Sequence, residues 1–125
     1  ELVKPVGYAH AVATSGGKTV YLGGQVSFDA SGNVVYVGDM VGQFEQTLKN
    51  LQIAIRAAGG EMTDIVKLNI FVKDRDLYKE HLKEIGGVYR TYFGKYFPAM
   101  TLVEVSTLFE DMVLLEIEGI AVIHS

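Results

Sequence analysis

The spacing of apolar residues changes period along the chain. Between Met40 and Ala58 the residues Phe44, Leu48, Leu51, Ile55 and Ala58 recur at alternating steps of four and three, which places them on one face of an α-helix. Gly59-Gly60 follows where a left-handed C-cap belongs. Between Asp76 and Phe93 the residues Tyr78, Leu82, Ile85, Tyr89 and Phe93 recur in the same way, with Asp74 or Asp76 as N-cap and Pro98 shortly past the end. Gly86-Gly87 interrupts this second helix at about 1 kcal/mol per glycine relative to alanine, which predicts a bend or a close approach to its backbone. Elsewhere the period is two. Thr19–Val26, Ile65–Lys73, Met100–Ser106 and Met112–Ile123 predict strands, with shorter ones at Ala9–Thr14 and Asn33–Val37. Ser15-Gly16-Gly17-Lys18 and Asp29-Ala30-Ser31-Gly32-Asn33 read as the turns between the first three strands. This order predicts an α+β chain: a mixed six-stranded sheet with two helices on one face.

Alternation also separates the faces of each strand. Val20, Leu22 and Val26, then Val66, Leu68, Ile70 and Val72, then Val113, Leu115, Ile117, Ala121 and Ile123 are assigned to the helix side. The opposite side receives Thr19, Tyr21, Gly23 and Gln25, then Lys67, Asn69 and Phe71, then Met112, Leu114, Glu116, Glu118, Ile120 and Val122. That second set is too apolar for plain solvent-facing surface, and two helices cover only one face. The expectation is burial of the other face against a further subunit, with its carboxylates and amides lining an interface or a cleft.

Composition narrows the chemistry. A length of 125 residues predicts one domain, and 49% hydrophobic with 21% charged residues is the balance of a globular chain rather than a disordered one. No run approaches the roughly 18 apolar residues of a membrane span, and Glu1–Tyr8 lacks a basic region followed by an apolar stretch, so a cytoplasmic location is expected with no membrane partner. The absence of cysteine excludes disulfides, thiol nucleophiles and cysteine-ligated metals. A net charge of −4 disfavours nucleic acid as partner and favours a small-molecule ligand.

Few motifs survive inspection. Gly16-Gly17-Lys18-Thr19 lacks the earlier glycine of a phosphate-binding loop, since Val12 stands there, and reads as a turn. His10, His81 and His124 have no metal-ligand spacing, and no serine sits in a nucleophile elbow; neither a metal nor a cofactor is expected. Gly23-Gly24-Gln25 inside a strand marks a bulge or a place where a ligand meets the backbone. Glu116 and Glu118 share one strand face with bulky apolar residues, where burial raises a carboxyl pKa toward the range useful for acid–base work. The competing reading is a pair of interface carboxylates satisfied by Lys67, Asn69 or backbone groups.

Several spaced blocks are similar to one family. Tyr21-Leu22-Gly23-Gly24-Gln25-Val26, Ala57-Ala58-Gly59-Gly60, the run from Asp64 to Asp74, Tyr96-Phe97-Pro98-Ala99, Val103-Glu104-Val105 and the run from Leu115 to Val122 resemble the YjgF/RidA family of enamine/imine deaminases. The resemblance covers essentially the whole chain, taken as one domain over 1–125. It implies a chorismate-mutase-like fold and a homotrimer with clefts between neighbouring subunits. It also implies an arginine after the Pro-Ala pair that grips a substrate carboxylate, and here that position is Met100. The serine often found before Gly-Gln is Gly23, and the asparagine of the second helix is Gly86. Tyr8 matches the family's N-terminal pocket tyrosine, and Glu116 matches the glutamate that holds or activates the water.

Two functions follow. The first is a hydrolase acting on a small enamine, imine or related metabolite that need not present a carboxylate to residue 100. Glu116 is its water-handling base, the backbone at Gly23 and Gly24 donates to developing negative charge, and Tyr8, Phe93, Phe97 and Met100 form the pocket wall. On this reading 2-iminoacids are hydrolysed slowly or not at all. The second is a non-catalytic trimeric module that binds a small molecule or a protein. A ribonuclease reading meets an excess of 15 acidic over 11 basic residues and no basic stripe. Arg56, Arg75 and Arg90 remain as cations elsewhere, Arg56 and Arg90 on predicted helices and Arg75 in the loop between.

Overall fold

A computed structural model describes residues 1–124. Four strands, β1 (Lys18–Gln25), β2 (Ile65–Val72), β3 (Ala99–Glu104) and β4 (Leu115–Ile123), form one mixed sheet in the order β1-β4-β2-β3. β4 runs antiparallel to both β1 and β2, and β2 runs parallel to β3. Helices α1 (Met40–Ala57), α2 (Arg75–Glu80) and α3 (Leu82–Phe93) supply the second layer. No helix among the described residues is long and apolar enough to cross a membrane.

α1 forms as its sequence dictates. The Asp39 side chain accepts a hydrogen bond from Gly42 N–H at 2.9 Å at one end. At the other, Gly59 takes φ 92°, its N–H donates to Arg56 C=O, and Gly60 N–H donates to Ile55 C=O, the two bonds of a Schellman cap. Phe44, Leu48, Leu51 and Ile55 are buried against Leu68, Ile70, Leu115 and Ile117 of the sheet, which form the core with them. Lys18, from the apparent phosphate-loop motif, starts β1 and donates its ammonium to Ala58 C=O at 2.9 Å, closing the helix from below.

Several expectations are corrected. The sheet has four strands rather than six, because Ala9–Thr14 and Asn33–Val37 are reduced to the isolated bridges Ala9–Ala99 and Phe28–Val34. No hairpin therefore precedes β1, whereas the Asp29–Asn33 turn forms, with Asp29 Oδ1 accepting from both Ser31 and Asn33 N–H. The second helix breaks at His81 and not at Gly86-Gly87. His81 has φ −111° and ψ 22°, its N–H turns back to Tyr78 C=O, and its ring nitrogen Nδ1 bonds Leu77 C=O, which ends α2 before α3 begins. A shift in the β2–β4 register between Ile65 and Lys67 buries Ile65 in place of Val66.

Candidate functional site

The two faces of the sheet carry different chemistry. On the helix side, α3, the start of β3 and the N-terminal segment enclose a cavity of about 480 Å³. The bridge between Ala9 and Ala99, with Ala9 N–H donating to Pro98 C=O at 3.0 Å, draws the N-terminal segment alongside β3. Tyr8 thereby joins Phe97, Met100 and Gly86 in the cavity wall. Met100 is level with Leu68 and Leu102 with Ile70 in the parallel β2–β3 ladder, and both face the helices. Phe93 does not line the cavity: it is 2% exposed and stacks behind the wall on Tyr89, ring centroids 4.3 Å apart. Phe97 stacks on the same tyrosine at 5.4 Å. Periodicity did not reveal Tyr78, Tyr89 and Arg90 as cavity residues, because their roles depend on how the helix settles on the sheet.

Burial acts on the tyrosines of this wall. It pushes the Tyr78 phenol up to about 12, and it raises Tyr89 as well, with smaller contributions from Tyr96 and Tyr78. Both rings are neutral donors at neutral pH. A phenol held protonated above its ordinary value adds stability that is complete below about pH 10 and is lost as pH rises through the folded-state value. Thermal melts between pH 8 and pH 12 should show wild type losing stability from about pH 10 upward and Tyr78→Phe losing it less steeply. Identical slopes would remove Tyr78 from this account.

The open side holds the acids. Of the pair, Glu118 accepts a hydrogen bond from Asn69 Nδ2 at 3.1 Å, as the interface reading anticipates, while Lys67 donates to Thr101 Oγ1 at 2.8 Å. Glu116 is held differently. Among the described residues it has no side-chain hydrogen bond or ion pair, and its carboxylate lies over Gly24. A Cβ at Gly24 would collide with that carboxylate and stand 2.8 Å from its Cδ, so glycine is what lets Glu116 occupy this place. The register shift between Leu22 and Gln25 makes Gly23-Gly24 a β-bulge, with open space over Gly23. Tyr21 and Val103 stand exposed on the same face, and Phe71 and Ile120 are half-buried there, whereas Met112 and Leu114, expected on this face, precede β4 and Leu114 packs against the core.

The two groups of residues are far apart in one chain. Glu116 is level with Phe71 on β2, whereas Met100 is level with Leu68. β2 stands between their strands, so ordinary spacings separate them by roughly 10 Å along the strand and about 10 Å across it, on opposite faces.

Comparison with known proteins agrees with this architecture. A family model described as "Endoribonuclease L-PSP" matches residues 2–123. A RutC family protein of Pyrococcus horikoshii is 35% identical, over 94% of this chain and 89% of its own. The chain belongs to the YjgF/RidA family. Other relatives of this Rid chain include a protein of Dermatophagoides farinae named 2-iminobutanoate/2-iminopropanoate deaminase, 33% identical over 97% of this chain and 90% of its own. Among solved structures, the Rid protein YyfB of Yersinia pestis superposes with a TM-score of 0.85 at 31% identity, covering 94% of this chain and 87% of that one. The α+β fold with one mixed sheet is thus the Rid fold.

Proposed function

We propose that this Rid chain hydrolyses a small enamine- or imine-type metabolite in a cleft shared by neighbouring subunits of a homotrimer. It is not an archetypal 2-iminoacid deaminase, because Met100 stands where the arginine would grip a carboxylate. The observation that carries the reading is the division just described: the apolar cavity with Tyr8, Phe97 and Met100 opens on one face, and Glu116 with the Gly23-Gly24 bulge on the other. A small molecule spans such a distance only when the cavity of one subunit meets the acid of the next. The exposed Tyr21 and Val103 give the open face a reason to be covered. Relatives named as 2-iminobutanoate/2-iminopropanoate deaminases support the reaction class.

In that cleft Glu116 takes a proton from water as the water oxygen attacks the carbon of the C=N bond. It passes that proton to nitrogen to give a carbinolamine, then takes the hydroxyl proton and delivers it to nitrogen as the C–N bond breaks and the C=O bond forms, so that imine and water become carbonyl compound and ammonia. The backbone at Gly23 and Gly24 lies beside the carboxylate and donates to negative charge developing on oxygen. The alternative, a trimeric binding module without chemistry, draws on Met100, Gly23 and Gly86 in place of the family's polar residues.

Ammonia release from 2-iminopropanoate separates the two. Wild type should be slow, Met100→Arg should be at least about tenfold faster because a bidentate anchor is restored, and Met100→Arg/Glu116→Ala should lose about a hundredfold from that gain. Rapid turnover by wild type would show that residue 100 is not the missing part. No gain in Met100→Arg would leave the binding module, and full activity without Glu116 would remove its role as base.

A further inference from the structure

The outer side of α1 carries a second cavity, of about 280 Å³, which shares no lining residue with the first. Glu45, Gln46, Lys49 and Gln52 line it from the helix, Tyr36 from the loop before α1 and Tyr92 from α3. Every one of these side chains ends in a polar group, whereas the first cavity is walled mainly by apolar and aromatic residues. Glu45 and Lys49 stand one turn apart with the acid N-terminal, the order in which such a pair normally closes on a helix. Among the described residues neither is in an ion pair. Gln46 is committed, donating to Phe28 C=O at 3.3 Å and to Asn50 Oδ1 at 3.0 Å, but the Gln52 amide and both phenols have no side-chain partner among those residues. One carboxylate, one ammonium, one amide and two hydroxyls thus line a common space with their bonding capacity unused.

Two locally unfavourable choices build this place. Tyr36 takes φ 57°, a left-handed conformation that strains a tyrosine backbone, and its carbonyl is fixed there by Asp39 N–H at 3.0 Å and Gln43 Nε2 at 3.2 Å. Gly42, in the first turn of α1, costs helix stability. The two explain each other: a Cβ at Gly42 would stand 2.7 Å and 2.9 Å from atoms of the Tyr36 ring, so the glycine gives the ring its place beside the helix. Burial raises the Tyr92 phenol above its ordinary value and the Glu45 carboxylate adds to the rise, which brings that charge within reach of the second ring. Strain kept at the edge of a cavity lined by uncommitted polar groups is the kind of inconsistency that marks a functional position.

We propose that this cavity is a binding site for a polar α-amino acid in its zwitterionic form, separate from the reaction cleft. The ligand's ammonium meets Glu45 and the electron-rich tyrosine rings, its carboxylate meets Lys49, and its side chain reaches Gln52, one turn further along the helix. A free amino acid carries both charges on one carbon, and Cβ atoms four residues apart on a helix lie about 5–6 Å from each other, so one small molecule answers both protein charges. A ligand with a single charge matches only half of the site: an anion meets Glu45 as well as Lys49, and a cation meets Lys49 as well as Glu45. The volume lies at the lower end for small-molecule sites, which suits an amino acid rather than a larger metabolite. The inference goes beyond the hydrolytic reading and does not rest on it.

The test is a titration of the intact, isotope-labelled protein followed by NMR amide shifts, which give the place of binding together with the affinity. The probe is L-glutamine; L-glutaminamide lacks its carboxylate, and N-acetyl-L-glutamine lacks its ammonium. L-Glutamine should shift the amides around Tyr36, residues 45–52 and Tyr92 saturably. It should bind at least about threefold more tightly than either single-charge probe, the difference that one exposed ion pair supplies, and more weakly as salt rises. L-Leucine, with the same two charges and an apolar body, should bind more weakly than L-glutamine. Glu45→Gln should abolish the preference over N-acetyl-L-glutamine and keep the preference over L-glutaminamide, and Lys49→Met should do the converse. Both residues are exposed, so these substitutions leave the core intact. The proposal is overturned by the absence of a saturable shift, by shifts confined to the residues around Tyr8 and Met100, or by equal binding of the three glutamine probes. L-Leucine binding as tightly as L-glutamine, or preferences indifferent to Glu45 and Lys49, would overturn it too.

Discussion

Wild-type chains unfolded and refolded together with Met100→Arg/Glu116→Ala chains should deaminate 2-iminopropanoate faster than either assembly does alone. Wild type keeps Glu116 but has a thioether at the clamp position; the double variant has the clamp but no acid. If each cleft takes its cavity from one subunit and its acid from the next, an equal mixture places a clamp-bearing subunit against a Glu116-bearing one in about a quarter of the clefts, because the two contributors are drawn independently. Activity should therefore return to about a quarter of that of Met100→Arg alone. The expectation is large because it is a recovery from near zero, and it follows from placement: Met100 and Glu116 lie on opposite faces of the sheet with β2 between their strands. A mixture as inactive as its parents would mean that the catalytic groups do not meet across a subunit boundary.

Much of the fold was legible along the chain, and the limits have physical causes. α1 was readable because the four-and-three stripe and Gly59-Gly60 after it agree, and the structure adds Asp39 as its N-cap. Alternation separated the Glu116 face from the Leu115 face because a strand turns over with each residue. The short strands failed for lack of partners. Propensity in Ala9–Thr14 and Asn33–Val37 says nothing about whether a neighbour offers a ladder, and each found only one bridge. Val66 was misplaced because one irregularity in register reverses the faces beside it, and no local signal announces it.

The sheet face that carries the acids was legible, and the cavity on the other face was less so. Gly23-Gly24 inside a strand signalled a bulge or a ligand, and the structure shows the bulge with Glu116 seated over it. Gly86-Gly87 signalled a bend or a close approach, and the structure answers with the Arg90 guanidinium lying over both. Which of the arginines reaches the cavity depends on the packing of α3 against β3 and the N-terminal segment, a contact between parts of the chain that periodicity treats separately.

Gln43 shows the same limit inside a helix, and its replacement should give the largest loss of stability. A glutamine beside Phe44 reads as the polar edge of an amphipathic helix, yet Gln43 is fully buried. Its Nε2 donates to Tyr36 C=O at 3.2 Å and to Met112 C=O at 3.0 Å, and its Oε1 accepts from Leu114 N–H at 2.8 Å. One side chain thus pins Tyr36, the non-glycine residue with φ 57°, and the backbone that leads into β4. Gln43→Leu keeps the volume and strips Met112 C=O and Leu114 N–H of their partner, while Tyr36 C=O keeps the Asp39 N–H at 3.0 Å. With each such group costing about 1–3 kcal/mol when left unpaired, the total should be about 2–5 kcal/mol, a large share of the ~5–15 kcal/mol that holds a domain together. At a fixed protein concentration the melting temperature should fall by about 10 °C or more. Gln46→Leu is the control, because Phe28 C=O, which Gln46 reaches at 3.3 Å, also accepts from Asn50 Nδ2 at 2.9 Å, and Asn50 Oδ1, its other acceptor at 3.0 Å, belongs to a half-buried side chain that water reaches, so the loss should be about 1 kcal/mol or less. If the two variants melt together, the Gln43 clamp does not contribute what its three hydrogen bonds imply, and the entry to β4 is held by apolar packing around Val113 and Leu115.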